Sequence, residues 1–237
     1  MKVLITGGSR GIGKACVERF TSEGHNVVFF YQNETEKADA VACKTGAKAI
    51  KTDIKNAESV ELAVKEATTY LGGIDVLINN AGVSDIRLFT EITNESWDTI
   101  LGTNLTGAFY VTRAVSKIMI SQKLGRIINI GSMWGKTGAS CEVHYSSSKA
   151  GLRGFTMALA KELGPSGITV NCIEPGVIET DMNACLDKET LKSLENETPL
   201  CRIGKPSDVA SLSYFLASDE ASFITGQVIG VDGGFAV

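Results

Sequence analysis

The chain has 237 residues, 43% of them hydrophobic, which is enough to bury a sizeable core, and α/β folds of this length commonly form one domain. Its 23 Lys and Arg residues are scattered and outnumbered by 27 Asp and Glu residues, so the formal charge is −4 and the basic footprint of a nucleic-acid-binding protein is excluded. No window offers 18 uninterrupted apolar residues, which excludes a membrane-spanning helix.

Short apolar runs alternate with amphipathic segments of helical length along the whole chain. The runs predict strands at residues 2–6, 26–31, 47–52, 75–79, 126–131, 168–173 and 227–231. Between them, apolar residues at helical spacing predict helices that include 11–23, 57–71, 97–120 and 144–163. Such alternation is typical of βαβ units around a parallel sheet. We predict a single α/β domain over residues 1–237: a Rossmann-type, doubly wound, seven-stranded parallel sheet with helices on both faces.

One segment breaks this regularity. Residues 179–204 follow Pro175-Gly176 and are polar and weakly periodic. We expect a mobile lid with short helices there.

The first predicted strand runs directly into a glycine-rich turn, Gly7-Gly8-Ser9-Arg10-Gly11-Ile12-Gly13, at the start of the first predicted helix. Glycines allow the backbone to turn sharply and approach a pyrophosphate, and the N–H groups of the helix direct their positive end toward it. The turn differs from GxGxxG because Cys16 stands where that pattern has its last glycine. The alternative is an ordinary glycine-rich βα turn. The residues predicted to bind a dinucleotide here are Gly7, Ser9, Arg10, Gly11, Ile12 and Gly13.

The end of the second strand indicates which dinucleotide is bound. An acidic residue there would bind the ribose 2′-hydroxyl of NAD and repel the 2′-phosphate of NADP. The chain has Gln32 and Asn33 instead, and Arg10 can meet a phosphate, so we predict NADP(H). In the alternative, Arg10 is a solvated surface charge and Glu34 or Glu36 reaches back to the ribose.

The third and fourth strands also end in candidate cofactor residues, because α/β sheets bind ligands at the carboxyl ends of their strands. Asp53, followed by Ile54, could accept a hydrogen bond from the adenine amino group. Asn80, Ala81 and Gly82 follow the fourth strand and leave room for the adenosine. Asp53 could equally be the N-cap of the helix at 57–71.

Tyr145 and Lys149 are four residues apart on a predicted helix, so they share one face. A lysine ammonium near the phenol favours the phenolate, and we expect it to lower the tyrosine pKa from about 10. Ser132 follows the fifth strand and could hold a carbonyl beside Tyr145, although such serines are more often local caps. Asn104 is a poor residue for a helix interior, and a water chain to Lys149 would satisfy its side chain if it is buried.

Together these motifs resemble the short-chain dehydrogenase/reductase family over essentially the whole chain. The resemblance implies that Tyr145 is the general acid/base, that Ser132 orients the carbonyl, that Lys149 binds the nicotinamide ribose and that Asn104 anchors a proton-relay water. It also implies a homotetramer, with the helices at 97–120 and 144–163 between subunits. The cofactor contacts that it adds are Tyr145, Lys149, Pro175, Gly176, Val177, Ile178 and Thr180.

Within the family, the chain is most similar to the 3-oxoacyl-[acyl-carrier-protein] reductases, which implies NADPH-dependent reduction of a 3-oxoacyl thioester on acyl carrier protein or CoA in fatty acid biosynthesis. Two positions depart from that group, which usually has Gln and Asn where this chain has Glu142 and His144. The resemblance also implies a carrier-docking patch near Lys123 and Arg126 and around the turn before Gly167, of which only the first part is basic because Ser166 occupies the turn. The alternatives are another carbonyl substrate, such as acetoacetyl-CoA, a sterol, a sugar or a xenobiotic, and a sensor that binds NADP without turnover.

The cysteines and the first residues of the chain bear on metal binding and location. The six cysteines form no CxxC pair and no zinc-like spacing with His, so we expect free thiols and no metal. The chain reaches a glycine by residue 7 and has no long apolar signal region there. We therefore expect a soluble, cytoplasmic protein.

Overall fold

The fold is a seven-stranded sheet in which every neighbouring pair of strands is parallel. The computed structural model describes residues 1–183 and 187–236. The strand order is β3-β2-β1-β4-β5-β6-β7. The strands are β1 (Lys2–Thr6), β2 (Asn26–Tyr31), β3 (Lys48–Lys51), β4 (Val76–Asn79), β5 (Gly125–Ile130), β6 (Ile168–Pro175) and β7 (Val228–Val231).

Nine helices flank the sheet within the described residues. Six of them cover its faces, three on each face, and the apolar side chains of the strands alternate between the two resulting cores. In β1, for example, Val3 and Ile5 face one core, under the helices at 11–22, 35–45 and 206–217. Leu4 faces the other core, under the helices at 57–71, 108–122 and 143–163. The helices are α1 (Gly11–Ser22), α2 (Thr35–Thr45), α3 (Ala57–Leu71), α4 (Asn94–Leu101), α5 (Ala108–Gln122), α6 (Trp134–Thr137), α7 (Val143–Leu163), α8 (Lys188–Glu197) and α9 (Pro206–Ala217).

These observations confirm the predicted seven-stranded, doubly wound parallel sheet with helices on both faces. Most strand bounds agree with the prediction to within one residue, but β6 continues two residues further, to Pro175. No helix in residues 1–183 and 187–236 is long and apolar enough to cross a membrane.

The predicted helix at 97–120 is interrupted. A π-helical turn, Gly102–Gly107, separates α4 from α5. Glycines are weak helix formers, and Gly107 packs so closely on the loop after β3 that an added Cβ would lie 2.7 Å from Ile54 Cδ1. The interruption brings Asn104 into the interior, where only 1% of its surface is exposed. Turns of this kind are frequent at functional sites.

The predicted lid at 179–204 contains a short 3-10 helix, Asp181–Asn183, and α8. No residue of α8 is fully buried. Residues 184–186, which include Cys185, lie outside the described residues.

Candidate active site

The carboxyl ends of the central strands enclose a cavity of about 430 Å³. Eighteen of the twenty predicted cofactor residues line it, together with Ser132. They are Gly7, Ser9, Arg10, Gly11, Ile12, Gln32, Asn33, Ile54, Asn80, Ala81, Gly82, Tyr145, Lys149, Pro175, Gly176, Val177, Ile178 and Thr180. A volume of this size is typical of small-molecule and cofactor sites.

The glycine turn suits an anionic ligand. Gly7 has a φ of 69°, in the left-handed region, and its N–H donates to the Phe30 carbonyl at 2.9 Å. Gly13 does not line the cavity; it packs beneath the turn, where an added Cβ would lie 2.1 Å from the Gly7 carbonyl oxygen. The first turn of α1 carries no acidic residue, and among the described residues the Arg10 side chain makes no capping bond to it. This helix start can therefore hold the pyrophosphate of a dinucleotide.

Asn80 connects the glycine turn to β4. Its side-chain amide donates to the Thr6 and Gly7 carbonyls at 3.0 and 3.1 Å. The backbone N–H groups of Asn80 and Ala81 both donate to the Thr6 hydroxyl at 3.0 Å. Thr6 is a supporting residue that the sequence reasoning missed, because its role depends on a pairing between β1 and β4.

Asp53 is the other predicted cofactor residue outside the cavity wall. Its carboxylate accepts from the Lys55 N–H at 3.0 Å, as in a local turn. The alternative prediction, that Asp53 is the N-cap of α3, is wrong: the cap is Asn56, whose side chain accepts from the Ser59 N–H at 2.9 Å. An adenine contact by Asp53 stays a prediction.

Four exposed charges meet where the glycine turn faces the end of β2. Arg10 Nη1 lies 3.5 Å from Glu34 Oε1 and 4.0 Å from Asp181 Oδ2. Lys37 Nζ lies 2.9 Å from Asp181 Oδ2 and 3.5 Å from Glu34 Oε2. The hydrogen bond from Lys37 holds the pKa of the Asp181 carboxyl below its usual value. Sequence reasoning missed Lys37, because the helix that carries it, α2, was not predicted.

Ser132, Tyr145 and Lys149 lie together at the inner end of the cavity, and each is at most 8% exposed. Ser132 follows β5, whereas the other two residues project from α7. Lys149 Nζ lies 5.7 Å from the centroid of the Tyr145 ring and donates to the Ile130 carbonyl at 2.8 Å. The structure thus brings the predicted hydroxyl, phenol and amine to one place.

Burial, rather than the neighbouring lysine, controls the ionisation of Tyr145. Desolvation raises the pKa of Tyr145 to about 12; a hydrogen bond with Ser132 opposes the rise and the charge of Glu142 adds to it. Desolvation also lowers the pKa of Lys149 to about 8, which weakens its positive charge. The prediction that Lys149 brings the phenol pKa below 10 is therefore wrong for this arrangement.

Asn104 is satisfied by protein groups. Its Oδ1 accepts from the Val83 N–H at 2.8 Å, and its Nδ2 donates to the Val83 carbonyl at 2.9 Å and to the Ser148 hydroxyl at 3.0 Å. The side chain therefore does not need the expected water chain to Lys149 as its partner. An added Cβ at Gly82 would lie 3.3 Å from Asn104 Oδ1 and 3.5 Å from Lys149 Nζ, so the asparagine and the lysine flank the same point of the cavity wall.

The two positions that depart from the 3-oxoacyl reductase pattern have different environments. Glu142 lines the cavity, and burial raises the pKa of its carboxyl. His144 is fully buried and does not line the cavity, and its Nε2 lies 3.9 Å from Asp85 Oδ2. Trp134, after Ser132, is half-buried and also lines the cavity.

The expected carrier-docking patch near Lys123 and Arg126 is contradicted at Arg126, whereas Lys123 is exposed and stays a predicted contact. The Arg126 side chain is only 9% exposed, donates to the Gly125 carbonyl at 3.1 Å and lies 3.5 Å from Asp219. Arg126 is also at the amino end of β5, whereas Ser132 follows its carboxyl end. A buried guanidinium at the opposite edge of the sheet is not available to a carrier near this cavity.

Comparison with known proteins decides the family. A family model described as "Enoyl-(Acyl carrier protein) reductase" matches residues 7–236. The chain belongs to the short-chain dehydrogenase/reductase family. Similar proteins include the 3-oxoacyl-[acyl-carrier-protein] reductase of Aquifex aeolicus, with 44% identity over 98% of this chain and 95% of the relative. The Synechocystis enzyme has 42% identity over 99% of this chain and 96% of its own length. The Vibrio cholerae enzyme has 40% identity over 98% of this chain and 95% of its own length.

Membership of the family makes the protein an oxidoreductase that uses a nicotinamide cofactor. The residues present fit such a group: the glycine turn and α1 offer N–H donors to its phosphates, and the cavity continues from there to Tyr145 and Lys149. The use of a nicotinamide cofactor thus follows from the relatives, whereas the residues that hold it stay a prediction with which the cavity agrees.

Replacing Lys149 by Met should stabilise the folded protein by about 1–3 kcal/mol at pH 7, because a buried amine whose pKa falls from 10.5 to about 8 opposes folding. Below pH 8 the amine is protonated in both the folded and the unfolded state, so the wild type carries the full free-energy cost of burying the charge. Between pH 8 and 10.5 the unfolded state binds more protons, so the wild type gains stability and the difference should shrink. Urea unfolding at pH 7, 9 and 10.5 measures this, with Lys161→Met, an exposed lysine of α7, as the control. If the difference in unfolding free energy between Lys149→Met and the wild type is the same at all three pH values, the predicted effect of the buried amine is wrong.

Proposed function

We propose that the protein reduces a 3-oxoacyl thioester, carried on acyl carrier protein or CoA, to the 3-hydroxyacyl thioester with NADPH in fatty acid biosynthesis. The observation that carries the proposal is that Ser132 and Tyr145 line the same cavity as the dinucleotide-binding glycine turn. Relatives of 38–44% identity over nearly the whole chain are named for this reaction. We also propose that one domain performs it, with residues 179–204 as a lid.

Each buried side chain has a role in carbonyl reduction. A nicotinamide held in this cavity would supply the hydride that reduces the ketone carbon. Ser132 donates a hydrogen bond to the ketone oxygen and holds it beside Tyr145, whose proton neutralises the alkoxide that develops there. A phenol with a pKa of about 12 keeps its proton in the resting protein, which suits a donor to an alkoxide, a much stronger base. Lys149 and Asn104 flank Gly82, where they can hold the nicotinamide ribose and a relay water.

Two other functions make different demands on this site. The matching family model is described for reduction of an enoyl group, in which the hydride acceptor is a C=C bond. A sensor that binds NADP without turnover would not need a buried Ser132, Tyr145 and Lys149 together. Reduction of a ketone uses all three side chains, and relatives of 44% and 42% identity are named for it.

NADPH, rather than NADH, is favoured by the charges beside β2. Arg10 and Lys37 are the two cations that a 2′-phosphate could bind. In the structure, both of them contact the carboxylates of Glu34 and Asp181. A phosphate carries about two charges and three acceptor oxygens, so it can replace these exposed and weak carboxylate contacts. Gln32 and Asn33, which line the cavity, add no negative charge of their own.

A homotetramer is also part of the proposal. The family resemblance implies that the helices around α5 and α7 lie between subunits, and exposed apolar side chains are present on both. Phe109 and Ile120 of α5 are 39% and 44% exposed, and Met157 of α7 is 45% exposed. Burial of these side chains against a second copy would favour assembly.

The reaction is tested by following NADPH oxidation with acetoacetyl-CoA, crotonyl-CoA and a 3-oxoacyl thioester of acyl carrier protein. We expect rapid oxidation of NADPH with both 3-oxo substrates and none with crotonyl-CoA, because Tyr145 is proposed to protonate a ketone oxygen held by Ser132. Turnover of crotonyl-CoA alone would assign the enoyl reaction. Binding of NADPH without turnover of any thioester would favour another carbonyl or a sensor.

The Tyr145→Phe variant should lose nearly all reductase activity, by about 100-fold or more in kcat, because it removes the proton donor. Its affinity for NADPH should stay within about twofold of the wild type, since the ring remains. Steady-state kinetics and fluorescence titration with NADPH measure the two quantities. Tyr70→Phe, an exposed tyrosine of α3, is the matched control. Activity retained by Tyr145→Phe would refute the role of the phenol.

The Lys37→Met variant should raise KM for NADPH about tenfold and leave KM for NADH nearly unchanged, because only NADPH presents a phosphate to this lysine. The control is Lys44→Met on the same helix, whose amine lies 2.8 Å from Glu18. Equal changes with the two cofactors would show that Lys37 does not contact the 2′-phosphate.

A further inference from the structure

Trp134 lies beside the hydroxyl that is proposed to hold the substrate carbonyl. It is the first residue of α6, and its backbone N–H donates to Ser132 Oγ at 3.2 Å. The side chain lines the same cavity as Ser132 and Tyr145. A carbonyl held by Ser132 and Tyr145 would therefore have its attached groups in a cavity whose wall includes Trp134.

The indole is held from behind by the turn that follows β7, residues 232–236, which we call the β7 turn. The ring of Phe235 meets the Trp134 ring edge to face, with centroids 5.9 Å apart and planes at 88°. Lys136, two residues after Trp134, donates through Nζ to the Ala236 carbonyl. Trp134 and Lys136 therefore attach α6 to the β7 turn at two points.

The β7 turn has little freedom to move. Its Asp232 carboxylate accepts from the N–H groups of Gly234 and Ala236 at 3.0 and 3.1 Å. The Gly233 carbonyl accepts from the Leu200 N–H at 3.2 Å, which fixes the turn to the end of the 179–204 segment. An added Cβ at Gly176, a cavity residue of the β6 end, would lie 2.7 Å from Asp232 Cα, so the turn is also packed against the cavity wall.

We propose that Trp134, held in place by Phe235 and the β7 turn, limits the acyl chain and makes short 3-oxoacyl thioesters the preferred substrates. This inference rests on the proposed function. A free indole could rotate away and admit a longer chain, but rotation here would break the contact with Phe235. Because a wall residue can discriminate between substrates by about tenfold or more for each methylene group, one fixed indole can set the chain length.

The first experiment compares kcat/KM for NADPH-dependent reduction of acetoacetyl-CoA and 3-oxodecanoyl-CoA. The wild type should prefer the four-carbon substrate. Trp134→Ala should raise the ten-carbon to four-carbon ratio at least tenfold, and Trp134→Leu, which keeps an apolar wall, should raise it less. Phe223→Ala, at a fully exposed phenylalanine outside the cavity, is the control and should leave the ratio unchanged.

The second experiment tests Phe235 as a positioning residue. The chain has two tryptophans, so Trp97→Phe leaves Trp134 as the only indole. In that background, Phe235→Ala should shift the indole emission to longer wavelength, increase its quenching by acrylamide and raise the ten-carbon to four-carbon ratio about threefold. Phe235→Tyr, which keeps the ring, should restore all three quantities.

The outcomes separate the inference from the function on which it rests. If the wild type oxidises no NADPH with either thioester, the proposed function fails and the inference fails with it. If both thioesters are reduced and folded Trp134→Ala and Trp134→Leu leave the ratio unchanged, the chain-length role is refuted and the function stands. If only Phe235→Ala leaves the ratio and the fluorescence unchanged, Trp134 does not need Phe235 to hold it, which overturns the proposal as stated.

Discussion

The attachment of α7 to β5 is the interaction on which the active site depends. Lys149 donates to the Ile130 carbonyl, and Asn129 donates to the Thr156 hydroxyl at 2.9 Å. Lys149 and Thr156 are seven residues apart, which is about two helical turns, so both lie on the face of α7 that meets the strand. Two polar contacts between neighbouring strand residues and one helix face fix both the rotation and the height of α7. The position of Tyr145 relative to Ser132 follows from that attachment.

The same burial that secures this attachment determines the chemistry of the groups within it. A hydrogen bond in a dry interior is strong, and an unpaired polar group there is costly. The side-chain amide of Asn79 accordingly donates to both Thr112 and Asn129. The dry surroundings also oppose charge on the phenol and on the amine, which moves the two pKa values in opposite directions. The protein thus keeps Tyr145 protonated mainly through burial, and the charge of Glu142 contributes in the same direction.

Much of the architecture could be predicted from the sequence, because strands covered by helices on both faces appear in it as apolar runs. Most of the cavity could be predicted as well, because the carboxyl ends of parallel strands meet at one edge of the sheet. The glycine turn and the Tyr145–Lys149 pair are local signals of this kind. Helices without a wide apolar face gave no such signal: α2 buries only Ala38 and Val41, and no residue of α8 is fully buried. The partners of Asn104 come from Val83 and Ser148, which are distant in the chain, so spacing could not reveal them. The pKa of Tyr145 depends on how deeply its side chain is buried, and the four-residue spacing from Tyr145 to Lys149 gives no information about burial.

The strand order also determines when in folding this site can exist. β1 is an interior strand, between β2 and β4, and Val3 pairs with Val76 across more than seventy residues. The wall of the cavity then requires Ser132 after β5, Tyr145 on α7 and Gly176 after β6. Closing loops of this length is slow compared with forming a helix, and the stabilising contacts of a parallel sheet form only when distant strands meet. A growing chain can therefore complete its glycine turn and α1 early, yet it gains a working site only after roughly three quarters of the sequence has left the ribosome.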